Sequence, residues 1–265
     1  MTLKGWEGFM RDQIIHKYEG DPDWKAESDR LFGPNEASAL WHTLEDAHII
    51  PPPEKDVAVL SVSANVPTHE LAMFRADLLT RKGKSKFIVG DMARLSVHPF
   101  IANLVKPYTS ELHTFDYVTW DATKLPIPDN STDILFDRKG ALWHIAQNFG
   151  DPDMLIGAFD GYYKVLKPGG SVVVDNIGGY TTYIASLPPE RKTDIVIKSL
   201  TNVPLSEVYP DAPMQYEPST IDVIARLALD MKDNRRLIEA IEGKFDITEL
   251  GEGVLSVKLF TKKSS

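Results

Sequence analysis

Residues able to do acid–base or ionic chemistry recur just after short apolar runs. The segment DILFDRKGALWH gathers Asp137, Arg138, Lys139, Trp143 and His144. Histidine is the side chain whose ordinary titration falls near neutrality, so His144 is the natural general base of that group. His69, at the start of THELAMFRADLLTRKG, is a rival base or a simple helix-start residue. Asp137 ends an apolar run, where an unpaired carboxylate would be costly, and is therefore expected to contact a ligand. Arg138 can pair with a ligand carboxylate or with a surface acid. Asp91, Asp121 and the pair Asp175-Asn176 occupy the same kind of position after other apolar runs. The chain has no cysteine, which excludes disulfides, thiolate metal sites and cysteine nucleophiles together.

These side chains need a scaffold, and the hydrophobic pattern outlines one. Residues 56–62, 86–90, 114–120, 132–136 and 171–175 read as short β-branched strands. Segments of helical spacing lie between them, including THELAMFRADLLTRKG and MLIGAFDGYYKVL (154–166). Lys167-Pro168-Gly169-Gly170 is expected to end that helix and turn the chain. Strands alternating with helices predict an α/β fold with a doubly wound, mostly parallel sheet covered on both faces. Ligands of such sheets sit at the carboxyl ends of the strands, where the residues above fall.

The flanks read differently. Trp6, Phe9, Met10, Ile14 and Tyr18 share one helical face, and ASALWHTLEDAHI (37–49) is a second amphipathic run, stopped by Pro51-Pro52-Pro53. Residues 1–53 are therefore expected to be a helical extension of a core at 54–177. The stretch 178–220, rich in Pro, Tyr and Ser, reads as a cover over an acceptor, with Tyr180, Tyr183, Tyr209 and Tyr216 suited to a flat apolar ligand or to packing the cover down. A helix over 221–242 closes that part of the chain. Strands at 245–250 and 254–261, joined by Gly251-Glu252-Gly253, predict an antiparallel hairpin at the sheet edge in a C-terminal part spanning 243–265. All of 1–265 is read as a single domain.

Composition narrows the partners. With 265 residues, 43% hydrophobic and 25% charged, the chain is an ordinary globular one. Its net charge of −9 and pI near 5.3 argue against nucleic acid. No apolar run is long enough to span a bilayer, and the start lacks the apolar segment of a signal peptide, so the expected setting is soluble and cytoplasmic, without membrane partners. The aromatic face of residues 6–18 would also serve a homodimer.

Three motifs then stand in order: Asp121-Ala122, Leu125-Pro126 leading to Asp129-Asn130-Ser131-Thr132-Asp133, and Leu166-Lys167-Pro168-Gly169-Gly170. In this order and spacing they resemble the class I S-adenosylmethionine-dependent methyltransferases, especially the small-molecule branch of ubiquinone and menaquinone biosynthesis. The resemblance covers residues 56–177 and implies a Rossmann-like fold, S-adenosylmethionine as cofactor and a small-molecule acceptor. It further implies that Asp121 accepts from the adenine amine beside the small Ala122, and that Asp91 takes the ribose hydroxyls. The same family expects an acid and a glycine-rich turn after the first strand. Here Ser61, Val62, Ser63, Ala64 and Asn65 stand instead. Ser63 and Ala64 are small enough for close approach, and Asn65 tolerates positive φ, but Ser61 brings no carboxylate. Arg138 is expected near the cofactor carboxylate, with Asp137 and His144 toward the acceptor.

Two other readings belong beside this one. A methyltransferase-like binding or assembly protein would keep the fold and have lost its donor, as a glycine-free first loop suggests. A magnesium-dependent O-methyltransferase would use Asp137, Asp175 and Asn176 as oxygen ligands, although their spacing is wider than that group's.

Overall fold

The computed structural model describes residues 36–64, 67–92, 98–175, 219–221, 223–224, 234–251 and 256–264, with single positions at 23, 25, 26 and 29. The aromatic face expected at 6–18 and most of the cover expected at 178–220 lie outside the described residues. Two compact units divide the chain, Met1–Trp120 and Asp121–Ser265.

The first unit carries three parallel strands: β1 (Val57–Ser61), β2 (Ser85–Asp91) and β3 (His113–Thr119). β2 lies in the middle, with Val57 opposite Ser85 and Ser85 opposite His113. Parallel neighbours need crossovers, and α2 (Thr68–Leu78) and α3 (His98–Val105) supply them after α1 (Glu36–Asp46). Phe87 on β2 gathers the core: its ring lies 5.4 Å from Trp41 of α1, 5.2 Å from Phe74 of α2 and 6.2 Å from Phe115 of β3. α1 does end before the three prolines, and Arg81, just past α2, holds their backbone. Its Nη1 donates to the carbonyls of Pro51, Pro52 and Lys55, while Nε and Nη2 donate to Asp77.

Gly90 near the end of β2 marks a close approach, as glycine in a strand often does. A Cβ there would lie 2.3 Å from the indole of Trp120. That indole is buried and donates from Nε1 to the Val62 carbonyl at 3.1 Å, bridging the ends of β2 and β1. Gly90→Ala must push the indole off this bond. We expect the loss to be about 2–3 kcal/mol by urea denaturation, and a loss under about 0.5 kcal/mol would show that the indole moves freely.

The second unit joins β4 (Thr132–Phe136) to β5 (Leu166–Asp175) in parallel, through α4 (Ala141–His144), a π-helical turn at Ile145–Phe149 and α5 (Pro152–Val165). Asp151 starts α5 by accepting from the Asp153 amide at 2.9 Å. β5 is longer than the sequence suggests. It begins at Leu166 opposite Thr132, the Lys-Pro-Gly-Gly residues loop out, and pairing resumes at Ser171 opposite Ile134. Gly169 sits at φ +78°, so the expected turn is a bulge within the strand, which one left-handed glycine permits.

β6 (Phe245–Leu250) and β7 (Val257–Lys262) form the expected antiparallel pair, with β7 against β5 and β6 outside it. Their joining residues 252–255 lie outside the described residues. The helix expected over 221–242 is helical at 220, 221, 223 and 224 and again in α6 (Asn234–Glu242). Phe159 of α5 packs 5.9 Å from Phe245 and 5.2 Å from Phe260, closing the core under the hairpin. The strands thus give the mixed, mostly parallel α/β fold with an antiparallel C-terminal edge that the pattern predicts. Among the described residues, no helix is long and apolar enough to cross a membrane.

Candidate functional site

In the first unit the three parallel strands end together, and backbone bonds lock the segments that follow them. The Ala64 amide donates to the Gly90 carbonyl at 3.0 Å, and the Trp120 amide to the Asp91 carbonyl at 3.0 Å. These bonds hold the glycine-free loop against β2, with Ser63 and Ala64 half-buried and Asn65 outside the described residues. The space over Gly90, however, is taken by Trp120, so that glycine serves protein packing and not a ligand.

Ser61 is buried and its hydroxyl donates to Glu70 Oε1 at 2.8 Å. Glu70 lies in the first turn of α2 and is itself buried. Asp91 is half-buried at the end of β2, and burial first, then the Asp91 and Glu70 carboxylates, push the Tyr117 hydroxyl well above its usual range. His69 is exposed on that turn of α2. Sequence reasoning missed Glu70 and Trp120. A strand end lacking its acid was the signal for the first, and a glycine inside β2 was the signal for the second.

In the second unit Asp121 caps the short turn Ala122–Lys124. Its Oδ1 accepts from the Thr123 amide at 2.9 Å and the Thr123 hydroxyl at 2.7 Å. Those two bonds hold its carboxyl below the usual carboxylate range. The residue is exposed and Oδ2 has no partner among the described residues, so capping and ligand binding are compatible. Ala122 beside it is buried.

Asp137 does not face outward. It is 1% exposed, and Oδ2 accepts from the Tyr162 hydroxyl at 2.6 Å and the Leu142 amide at 3.0 Å. Burial, partly offset by these bonds and reinforced by Asp175, raises its pKa to about 6. The carboxylate therefore holds the start of α4 and makes Asp137 a positioning residue, a correction to the acceptor-facing role expected for it. The next residues are strained into place: Lys139 adopts φ 48°, and its amide donates to Asp175 Oδ1 and Thr220 Oγ1. Asp175 also receives the Thr220 amide at 2.7 Å and the Thr220 hydroxyl. Protein donors thus hold both Asp175 oxygens and clasp Thr220 to the end of β5. Asn176 is outside the described residues.

Arg138 is half-buried, and its Nε is buried without a hydrogen-bond partner among the described residues. A buried guanidinium nitrogen left open fits an anionic ligand group. His144 ends α4 exposed, edge-on to Trp143 at 5.0 Å, with Nδ1 3.1 Å from the Asn148 amide. α4 and the π-helical turn place His144 and Asn148 on one short segment, closed by Gly150 at φ 60°. π-helical turns recur at functional sites.

Residues 101–174 match a family model described as a methyltransferase domain. Solved structures that align with the chain include a candidate S-adenosylmethionine-dependent methyltransferase of Methanococcus maripaludis, at 13% identity and TM-score 0.48, covering 94% of this chain and 97% of that one. A protein of Pyrococcus horikoshii aligns at 15% identity and TM-score 0.44, covering 94% and 99%. A SAM-dependent methyltransferase of Aquifex aeolicus aligns at 11% and TM-score 0.43, covering 91% and 98%. No curated protein sequence matches the chain.

Proposed function

We propose that this chain transfers a methyl group from S-adenosylmethionine to a small-molecule oxygen, nitrogen or carbon, as the methyltransferase-domain match over residues 101–174 supports. When bound, the donor supplies an activated methyl on a sulfonium, and the protein's task is alignment and proton removal. In the first unit, Asp91 accepts from the ribose diol beside the small Ser63 and Ala64. In the second, Asp121 Oδ2 accepts from the adenine amine over Ala122, and Arg138 meets the donor carboxylate. The open, buried Nε of Arg138 is the observation that carries this reading.

His144 is the general base. The Asn148 side-chain Nδ2 donates to its Nδ1 at 3.1 Å, which fixes the orientation of the ring. Asp137 acts through Leu142 and Tyr162, fixing the loop from which Arg138 and His144 project. A buried carboxylate with a raised pKa at a strand end is the kind of costly feature that functional sites retain.

Two measurements test this. S-adenosylhomocysteine at about 100 times its Kd should add about 2.7 kcal/mol of stability, read as a rise in melting temperature. No shift at millimolar ligand overturns donor binding and favours a binding or assembly protein. In a screen of small-molecule acceptors followed by S-adenosylhomocysteine release, His144→Ala should lower turnover about 10²-fold while leaving affinity for S-adenosylhomocysteine unchanged. A turnover within twofold of the parent removes the base from His144.

A further inference from the structure

The loop after β1 contains no glycine, and the glycine it depends on lies in the neighbouring strand. Among the described residues, the positive-φ positions other than glycine are His48, Asn130 and Lys139. Residues 61–64 therefore turn without the left-handed backbone that a glycine would supply. Two bonds from outside hold that backbone: the Ala64 amide donates to the Gly90 carbonyl at 3.0 Å, and Trp120 Nε1 donates to the Val62 carbonyl at 3.1 Å. Trp120 is itself fixed just past β3, where its amide donates to the Asp91 carbonyl and the residue is 7% exposed. Its indole reaches Val62 by crossing β2 at Gly90, passing 2.3 Å (Cε2) and 2.6 Å (Nε1) from the place of a Cβ. Even alanine at position 90 would put a carbon in that path.

We infer that Trp120 is a positioning residue for donor binding: its indole N–H, admitted by Gly90, sets the backbone of the glycine-free loop. The inference rests on the donor-binding reading above. Its distinct content is that one side chain imposes the loop's shape across three strand ends, where glycines within the loop would otherwise generate it. Residues with side chains have fewer backbone states to lose than glycine, and a buried bond to one carbonyl selects among those that remain. A loop held in one shape before the ligand arrives spends less binding energy on ordering. Without the N–H, the carbonyl of buried Val62 is left without this donor.

Calorimetric titration of the full chain with S-adenosylhomocysteine tests it, at a temperature where urea denaturation shows every variant fully folded. Trp120→Phe keeps a buried ring and removes the N–H. It should weaken S-adenosylhomocysteine about fivefold, the size of one neutral hydrogen bond, and lowered stability alone cannot produce that loss in a folded sample. Gly90→Ala displaces the same indole and should weaken the ligand likewise. The double variant should bind within about twofold of the weaker single variant, because both changes break one bond. A loss under about threefold for Trp120→Phe overturns the inference while donor binding stands, and so does a double variant in which the two losses multiply. Failure of the parent protein to bind S-adenosylhomocysteine overturns the donor-binding reading and this inference with it. Should a variant not fold, benzothienylalanine inserted at position 120 keeps the indole's shape with sulfur in place of the N–H. A loss of about threefold or more there supports the inference, and a smaller one overturns it.

Discussion

Arg81→Ala is expected to destabilise the protein by about 3–5 kcal/mol, the cost of stripping one partner from a buried ion pair. Both side chains of the Arg81–Asp77 pair are fully buried, with Nη2 2.7 Å from Asp77 Oδ1. The same guanidinium satisfies the carbonyls of Pro51, Pro52 and Lys55 at 2.7–3.0 Å. Prolines cannot donate to a neighbouring segment, so this stretch depends on a donor from outside to hold it. Removing Arg81 leaves the Asp77 carboxylate buried with no counter-charge and those carbonyls without this donor. The expected result is a lower urea midpoint with an unchanged slope. The double change Arg81→Met with Asp77→Leu should recover most of the loss, because it takes away the stranded charge as well. A single-mutant loss below about 1 kcal/mol would mean that water replaces the guanidinium, and that the pair does not fix the proline segment.

The second large effect is expected at Asp137, in two forms. Asp137→Ala leaves the buried Tyr162 hydroxyl and the Leu142 amide without their acceptor. At about 1–3 kcal/mol for each stranded group, the loss should reach about 3–4 kcal/mol. Asp137→Asn keeps an acceptor and removes the charge, which turns the question into one of pH. The folded pKa of about 6 lies above the ordinary 3.8, so the folded state holds this proton more tightly than the unfolded one. Asp137 therefore favours folding fully below pH 4. That contribution is lost as pH rises from about 4 through 6, at about 1.4 kcal/mol per unit and about 3 kcal/mol in all. Above that window it stays constant. The stability gap between Asp137→Asn and the parent should accordingly move about 3 kcal/mol toward the variant between pH 4 and 7, measured by denaturation at each pH. A gap that does not change with pH would show that the carboxyl titrates normally.

Much of the frame is legible before any coordinates. Thr132–Phe136 stands where the β-branched run places it, and β1, β2 and β3 differ from the expected spans by a residue or so at each end. Period and turn chemistry are local properties, and they survive folding. β5 is where local reasoning fails: Pro168 and Gly169 read as a full stop, yet tertiary pairing carries the strand through them as a bulge. The site was legible as positions and not as roles. Asp121, Asp137 and Asp175 all close apolar runs, but one caps a turn at the surface, one is buried under Tyr162 and one clasps Thr220. What separates them is the donor that each meets, contributed by residues from two to forty-five positions away. Glu70 was hidden for the same reason. Its partner is nine residues back along the chain, and no periodicity links a strand-end serine to a helix glutamate.

The bond between Asp175 and Thr220 joins the point where the chain leaves β5 to the point where it returns. A segment whose two ends are already tied together is an exchangeable cassette: doubling its length adds only about 0.6 kcal/mol of closure entropy. Thr220→Val would take the hydroxyl from this tie and one of the two acceptors from the Lys139 amide, while the Thr220 amide keeps its hold on Asp175, so the knot loosens without coming undone.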